Sequence, residues 1–256
     1  MNLKRYLSSV LTLTEFELRK LRHDSSQIWL RSVQPALWLI VFGEVFSKIR
    51  AIPTGGVSYL QFMTPGVLAQ SVMFVAIFYG ITVVWERDLG LLNKLLSTPA
   101  PRSTIVLGKA LSAGVRGIFQ AIAVLILALI IRVNMSLTPL SVLGVFVIII
   151  LLGMSFSSLS MALAPVFRTR ERMMGIGQAI TMPLFFASNA IYPVSLMPDW
   201  LKTIAIMNPL SYAVDAMRGL LITGDLSALP IDILAITIAT TVLVVLASLS
   251  FRKIIS

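Results

Sequence analysis

Five stretches of this chain, roughly 29–47, 59–84, 110–131, 140–166 and 231–251, stay apolar for close to the ~20 residues a helix needs to cross a hydrocarbon layer. A sixth apolar stretch begins near Met173 and reaches about Ile191. It carries Pro183, whose missing N–H predicts a kink. The pattern predicts an all-α integral membrane protein with six transmembrane helices, one membrane domain over 1–256. Ahead of the first span, residues 1–28 are mixed. Leu3, Leu7, Val10, Leu11, Leu18 and Leu21 recur at helical spacing among Lys4, Arg5, Arg19, Lys20 and Arg22. This reads as an amphipathic helix on the membrane surface; an ordinary solvated helix is the plainer alternative.

Two further segments break the alternation of spans and short loops. Between the second and third spans lies the cytoplasmic loop 85–109, within VWERDLGLLNKLLSTPAPRSTIVLGK. Taken as one helix from Trp85 to Ser97, it sets Trp85, Leu89, Leu92 and Leu96 in a stripe that Leu91 and Leu95 widen. Glu86, Asn93, Lys94 and Ser97 fall on the other side. Pro99 and Pro101 end it. Such a helix fits a partner's groove, or simply lies on the inner leaflet. Residues 188–230 are too apolar for a loop and too broken to span, with Pro193, Pro198 and Pro209 dividing them. They read as an outer re-entrant or interfacial helical hairpin. A seventh span is the alternative, and it would carry Arg252 and Lys253 to the outer side.

Charge orients the helices. With the N-terminus inside, sixteen of the 21 Lys and Arg fall on inner segments. The other five, Lys48, Arg50, Arg132, Lys202 and Arg218, fall outside. That bias gives an N-in, C-in topology in the cell (inner or plasma) membrane. The composition agrees: 57% of residues are hydrophobic and only 12% charged. The net charge of +10 is therefore topology signal, and no nucleic-acid partner is expected.

Chemistry is sparse. There is no Cys, and His23 is the single His, so neither a metal site nor thiol chemistry can be assembled. Ionisable groups near the spans are few. Glu44 lies late in the first, facing the outer mouth or pairing with Lys48. Arg116 lies in the third, snorkelling to the inner interface, and Asp232 opens the last. No proton relay can be built from these. A Walker A motif, H-E-x-x-H and G-x-S-x-G are all missing. The chain is not expected to be an enzyme.

The loop ERDLGLLNKLLSTPAPRSTIVLGK, the later NPLSYAVDAMRG (Asn208 to Gly219) and NAIYPVSLMPDWL between them resemble the type-two ATP-binding-cassette (ABC) export permeases. The likeness covers nearly the whole chain in order, and drug-resistance and nodulation-type members are nearest. Asp88 stands where Glu is usual and Leu91 where Thr is common. The resemblance implies a dimeric permease, homodimer preferred, docking a separate nucleotide-binding subunit that carries ATP and Mg; no cofactor is bound by this chain. It implies Glu86, Arg87 and Asp88 as a polar docking face or clasp. Leu92, Leu95 and Leu96 would pack the coupling helix, and Gly90 would permit close approach. Arg168 to Arg172 reads either as a further contact or as topology signal alone.

On the outer side, Asn208 with Pro209 reads as a helix start. Asp215 and Arg218 stand three apart and can pair, either as an outer gate or as a self-satisfied cap. Two facing copies would line a path with Met63, Gln70, Met73, Phe74, Phe185, Phe186 and Asn189, residues that equally serve helix packing. A hydrophobic drug or lipid-like molecule suits such a lining. The alternatives are a polysaccharide or lipo-oligosaccharide exporter, or an ion-coupled carrier with no ATPase.

Overall fold

The computed structural model describes residues 3–22, 26–49, 54–97, 101–167 and 169–251. Among them there are helices and loops but no strand. The first helices are α1 (Leu3–Arg22), α2 (Ser26–Leu37) and α3 (Gly43–Ile49), the last two joined through a π-helical turn, Trp38–Phe42. Then come α4 (Tyr59–Asp88), the short α5 (Leu91–Leu96), α6 (Arg102–Ile130), α7 (Pro139–Leu163) and α8 (Arg170–Phe186). The chain closes with α9 (Asp199–Met207), α10 (Pro209–Arg218) and α11 (Leu229–Ser250). Four of these, α4, α6, α7 and α11, are long and apolar enough to cross a membrane. The first predicted span corresponds to α2, the π turn and α3 together. The sixth corresponds to α8, which ends at Phe186, short of the expected Ile191.

Local chemistry explains where helices begin. Ser58 caps α4 in a reciprocal box with Gln61. Thr138 caps α7 ahead of Pro139, and Thr169 caps α8. α4 is the core helix and nearly all of it is buried. At 1.5 Å per residue, 30 residues span about 45 Å against a hydrocarbon layer of about 30 Å. Its final turn, with Glu86 to Asp88, therefore projects past the apolar layer.

Close packing rests on small residues, as expected where no hydrophobic drive separates helix from lipid. A Cβ on Gly153 would meet the Gly114 Cα at 2.7 Å, so α6 and α7 touch backbone to backbone. A Cβ on Gly80 would meet the Ser157 carbonyl oxygen at 2.6 Å, setting α4 against α7. Ser155 and Thr240 share a 2.6 Å hydrogen bond that ties α7 to α11. On its other side α11 is apolar and exposed at Leu234, Ile238, Val242, Val245 and Leu249.

The bundle has two distinct ends. One, the basic end, gathers α1, the end of α4, α5 and the starts of α6 and α8. The far end gathers the start of α4, the α6–α7 turn and residues 188–224. There the Tyr59 hydroxyl donates to the Ile191 carbonyl at 3.1 Å, and the Ser136 amide donates to the Leu221 carbonyl at 2.7 Å.

Candidate functional site: a buried ion-pair junction at the basic end

The expected helix from Trp85 to Ser97 is two helices. α4 runs to Asp88 and stops, and Gly90 turns the chain at φ +70° before α5. Only glycine adopts that angle without strain. Within the chain the turn alone accounts for this glycine, since nothing lies within 4 Å of where its Cβ would stand. The break also divides the expected stripe. Leu92 is fully buried and Leu95 packs on the core, but Trp85 and Leu89 face outward, Leu89 at 74% exposure. The side chains of Leu96 and Asn93, with Pro99 and Arg168, lie outside the described residues.

Glu86 is placed differently from Arg87 and Asp88. It lies in a buried junction of α1, α4 and α6 and is 7% exposed, a position that suits the clasp of the two expected roles better than the open face. Lys109 on α6 stands 2.6 Å from Glu86 Oε2 and 2.8 Å from Glu17 Oε1 on α1. Lys20 stands 3.1 Å from each of the same two acids. Two carboxylates and two ammonium groups thus alternate in a neutral ring. Neutrality is what makes the burial tolerable, since an unpaired buried charge is very costly. The Tyr79 hydroxyl donates to Glu17 Oε2 at 2.9 Å. Burial alone would raise the Glu17 pKa. Lys109, Lys20 and Tyr79 outweigh it and hold the carboxyl below its ordinary value.

Around the ring, α1 is sewn to α6. Arg116 donates to the Glu17 carbonyl at 2.6 Å and stacks on the Tyr79 ring, 4.4 Å from its centre. It is captured by α1 rather than snorkelling free. Thr14 donates to the Gly108 carbonyl at 3.3 Å, and Tyr6 to Ser103 at 3.1 Å. A Cβ on Gly108 would meet the Leu13 Cβ at 2.8 Å, so glycine there lets α1 approach. The buried face of α1 is accordingly Val10, Thr14 and Glu17, while Leu7 and Leu11 point away from the protein. Glu17, Lys20 and Lys109 escaped the sequence-based site. The available signals were the Gly108–Lys109 pair closing the loop motif and the two acids, Glu15 and Glu17, on an otherwise basic helix.

Asp88 and Arg87 remain at the surface. They pair at 3.0 Å, and Asp88 also meets Arg170 at 3.2 Å. The first residue of α8 is thereby tied to the end of α4. Glu44 and Lys48 are both exposed, and no ion pair joins them, so of the two readings for Glu44 the pairing does not form.

At the far end the expected cap and pair both form. Asn208 accepts from the Leu210 amide at 3.0 Å, and its Nδ2 donates to the carbonyls of Leu184 and Ala187. One side chain thus starts α10 and fastens it to the end of α8. Arg218 pairs with Asp215 at 2.9 Å, donates to the Asn189 carbonyl at 2.8 Å and covers the Phe62 ring at 4.0 Å. Of the expected path residues, Met63, Met73 and Phe185 have no exposed surface and act in packing within this chain; Asn189 is nearly as buried. Phe186 is exposed. Gln70 and Phe74 do come together, lining a cavity of about 360 Å³ between α4 and α2.

Among the described residues, no group of three or more His, Asp or Glu is placed to hold a metal. A sequence profile described as ABC-2 type transporter matches residues 8–222, from α1 through α10. The ycf38 protein of Porphyra purpurea is 30% identical over 201 residues, covering 75% of this chain and 69% of that one. The daunorubicin resistance ABC transporter permease protein DrrB1 of Streptomyces coeruleorubidus is 26% identical over 215 residues, 84% of this chain and 75% of that one. Nodulation protein J of Rhizobium leguminosarum bv. trifolii is 28% identical over 170 residues, 66% and 64%. The matched span contains the whole ion-pair junction of α1, α4 and α6, and the chain belongs to the ABC-2 type transporter family of membrane transport permeases.

Proposed function

We propose that this chain is the membrane permease of an ATP-driven exporter, with its basic end cytoplasmic. Two copies pair, and each docks a separate ABC ATPase that carries ATP and Mg. Members of this family work with ABC ATPase subunits in general. The observation that carries the reading is the arrangement at the end of α4. Leu89 and the turn into α5 stand out from the bundle directly beyond the ring that clamps Glu86. A partner that presses on this turn acts on a rigid point. The displacement passes into α4 and, through Lys109 and Glu17, into α6 and α1 together. The docking surface in this account is Arg87, Asp88, Leu89 and α5; Glu86 transmits rather than touches.

The transported molecule is a hydrophobic drug or lipid-like amphiphile. The largely apolar lining near Gln70 and Phe74 supports this, as does the daunorubicin resistance attributed to the DrrB1 relative. The test is affinity purification of the tagged protein in mild detergent, with mass spectrometry of what accompanies it. An ABC ATPase at equal stoichiometry is the expected result. A clean preparation under conditions that preserve complexes overturns the reading and favours an ion-coupled carrier.

A further inference from the structure

The cavity between α2 and α4 has a volume of about 360 Å³, in the range of small-molecule sites, roughly 300–1,000 Å³. Three of its wall residues, Gln70, Phe74 and Phe78, follow one another at single-turn spacing along α4. They make a strip about 12 Å long that runs from the middle of α4 toward the basic end. Leu30 and Pro35 of α2 close it from the other side. The wall's other polar side chains are Arg31, Gln34 and Ser71, and the Ser71 hydroxyl already gives its proton to the Leu68 carbonyl.

Two features of the strip point to a ligand. The first is Gln70, which is 2% exposed and whose Nε2 has no hydrogen-bond partner among the described residues. A buried N–H without a partner is costly, and an acceptor in the cavity removes the cost. The second is the ring pair. Phe74 and Phe78 are both half-buried, their ring centres 5.8 Å apart and their planes 14° from parallel. A flat ring system extends such a pair in the offset stacking that aromatic groups prefer, whereas an acyl chain gains only buried area. A carbonyl conjugated to that ring offers an acceptor without bringing in a donor that would need a partner of its own.

We infer that this cavity binds a fused aromatic ring system carrying a carbonyl, with Gln70 donating to the carbonyl oxygen and Phe74 and Phe78 stacking on the ring. The inference rests on the exporter reading and narrows its substrate class to flat aromatic ketones and quinones. Gln70 sets the specificity, since a hydrocarbon of the same shape leaves its N–H unpaired. The two rings serve ketone and hydrocarbon alike.

The test compares radiolabelled fluorenone and fluorene, two flat molecules of nearly the same shape that differ in the carbonyl. It uses the purified permease alone in nanodiscs, so its outcome does not depend on finding the ATPase, and it reads saturable binding above that of protein-free nanodiscs. Fluorenone is expected to bind about tenfold more tightly than fluorene, the worth of one hydrogen bond to an otherwise unpaired donor. Gln70→Leu brings fluorenone down to the fluorene level and raises the thermal midpoint of the protein without ligand, because the unpaired N–H is gone. Phe74→Leu weakens both molecules several-fold and keeps the preference between them. Equal binding of the two by the wild type, a preference that survives Gln70→Leu, or no saturable binding overturns the inference. Undiminished binding in Phe74→Leu overturns the aromatic class and marks an aliphatic carbonyl, such as a lipid ester, as the occupant. The wild-type comparison decides the matter even where a variant fails to fold. If fluorenone does not bind while an ATPase co-purifies, the ligand class falls and the exporter reading stands; binding with no ATPase does the reverse.

Discussion

The two ends of the bundle hold charge in different ways. At the basic end, Glu17, Lys20, Glu86 and Lys109 come from three helices up to 92 residues apart and neutralise one another. At the far end, Asp215 and Arg218 are neighbours on one helix turn, and Arg218 gives its Nη2 to the carbonyls of Asn189 and Phe62. The first arrangement joins helices by charge. The second joins a helix to a loop through an arginine, with the acid in an accessory role. Each charge in the ring is therefore indispensable to the others, whereas at the far end the base outweighs its acid.

Lys109→Met should have the largest effect. It leaves two buried carboxylates facing each other with only the half-exposed Lys20 between them. Breaking a buried pair in this way costs about 3–5 kcal/mol, read as a large fall in the thermal midpoint in detergent. Adding Glu17→Gln should recover part of the loss, since the ring is coupled. Next comes Arg218→Lys, which forfeits the planar fork and its carbonyl bonds for about 2 kcal/mol. Asp215→Asn should instead stabilise by up to about 1 kcal/mol, because burial disfavours that carboxylate's charge more than Arg218 supports it. The reverse order at the far end would contradict the comparison.

Acid separates the ends by sign. Glu17 sits below its ordinary value of 4.5, so its stabilisation is complete above that pH and is lost as pH falls through the lower folded value. Burial pushes Asp215 above its ordinary 3.8, with Arg218 offsetting only part. Protonation on acidification therefore relieves the folded state there. Proteolysis below pH 4 should release α1 first, with residues 199–218 still protected. The smallest effect is expected at the surface: Arg170→Ala removes the exposed pair with Asp88 and should change stability by about 0.5 kcal/mol, less in high salt.

The sequence made the far end more legible than the basic end for a physical reason. Asn208–Pro209 and Asp215–Arg218 are local signals, complete within one helix turn, and the structure forms both. The ring depends on tertiary contacts between α1, α4 and α6, which no periodicity encodes. Glu86 read as a polar-face residue because its neighbours at i+7 and i+8 are polar. The turn at Gly90 rotates α5 relative to α4, so the periodicity drawn through Trp85, Leu89, Leu92 and Leu96 does not persist. The four longest apolar runs became α4, α6, α7 and α11. The first and sixth are interrupted, by the π turn at 38–42 and by the end of α8 at Phe186.

The central claim is that Glu86 fastens α1 within the chain and is not itself the contact with the ATPase. Hydrogen–deuterium exchange of the wild type and Glu86→Gln in nanodiscs tests it directly. Faster exchange across α1 in the variant, at least about tenfold for the amides of 10–20, is the predicted result. Unchanged protection of α1, together with selective loss of the co-purifying ATPase, would contradict the account and return Glu86 to the docking face.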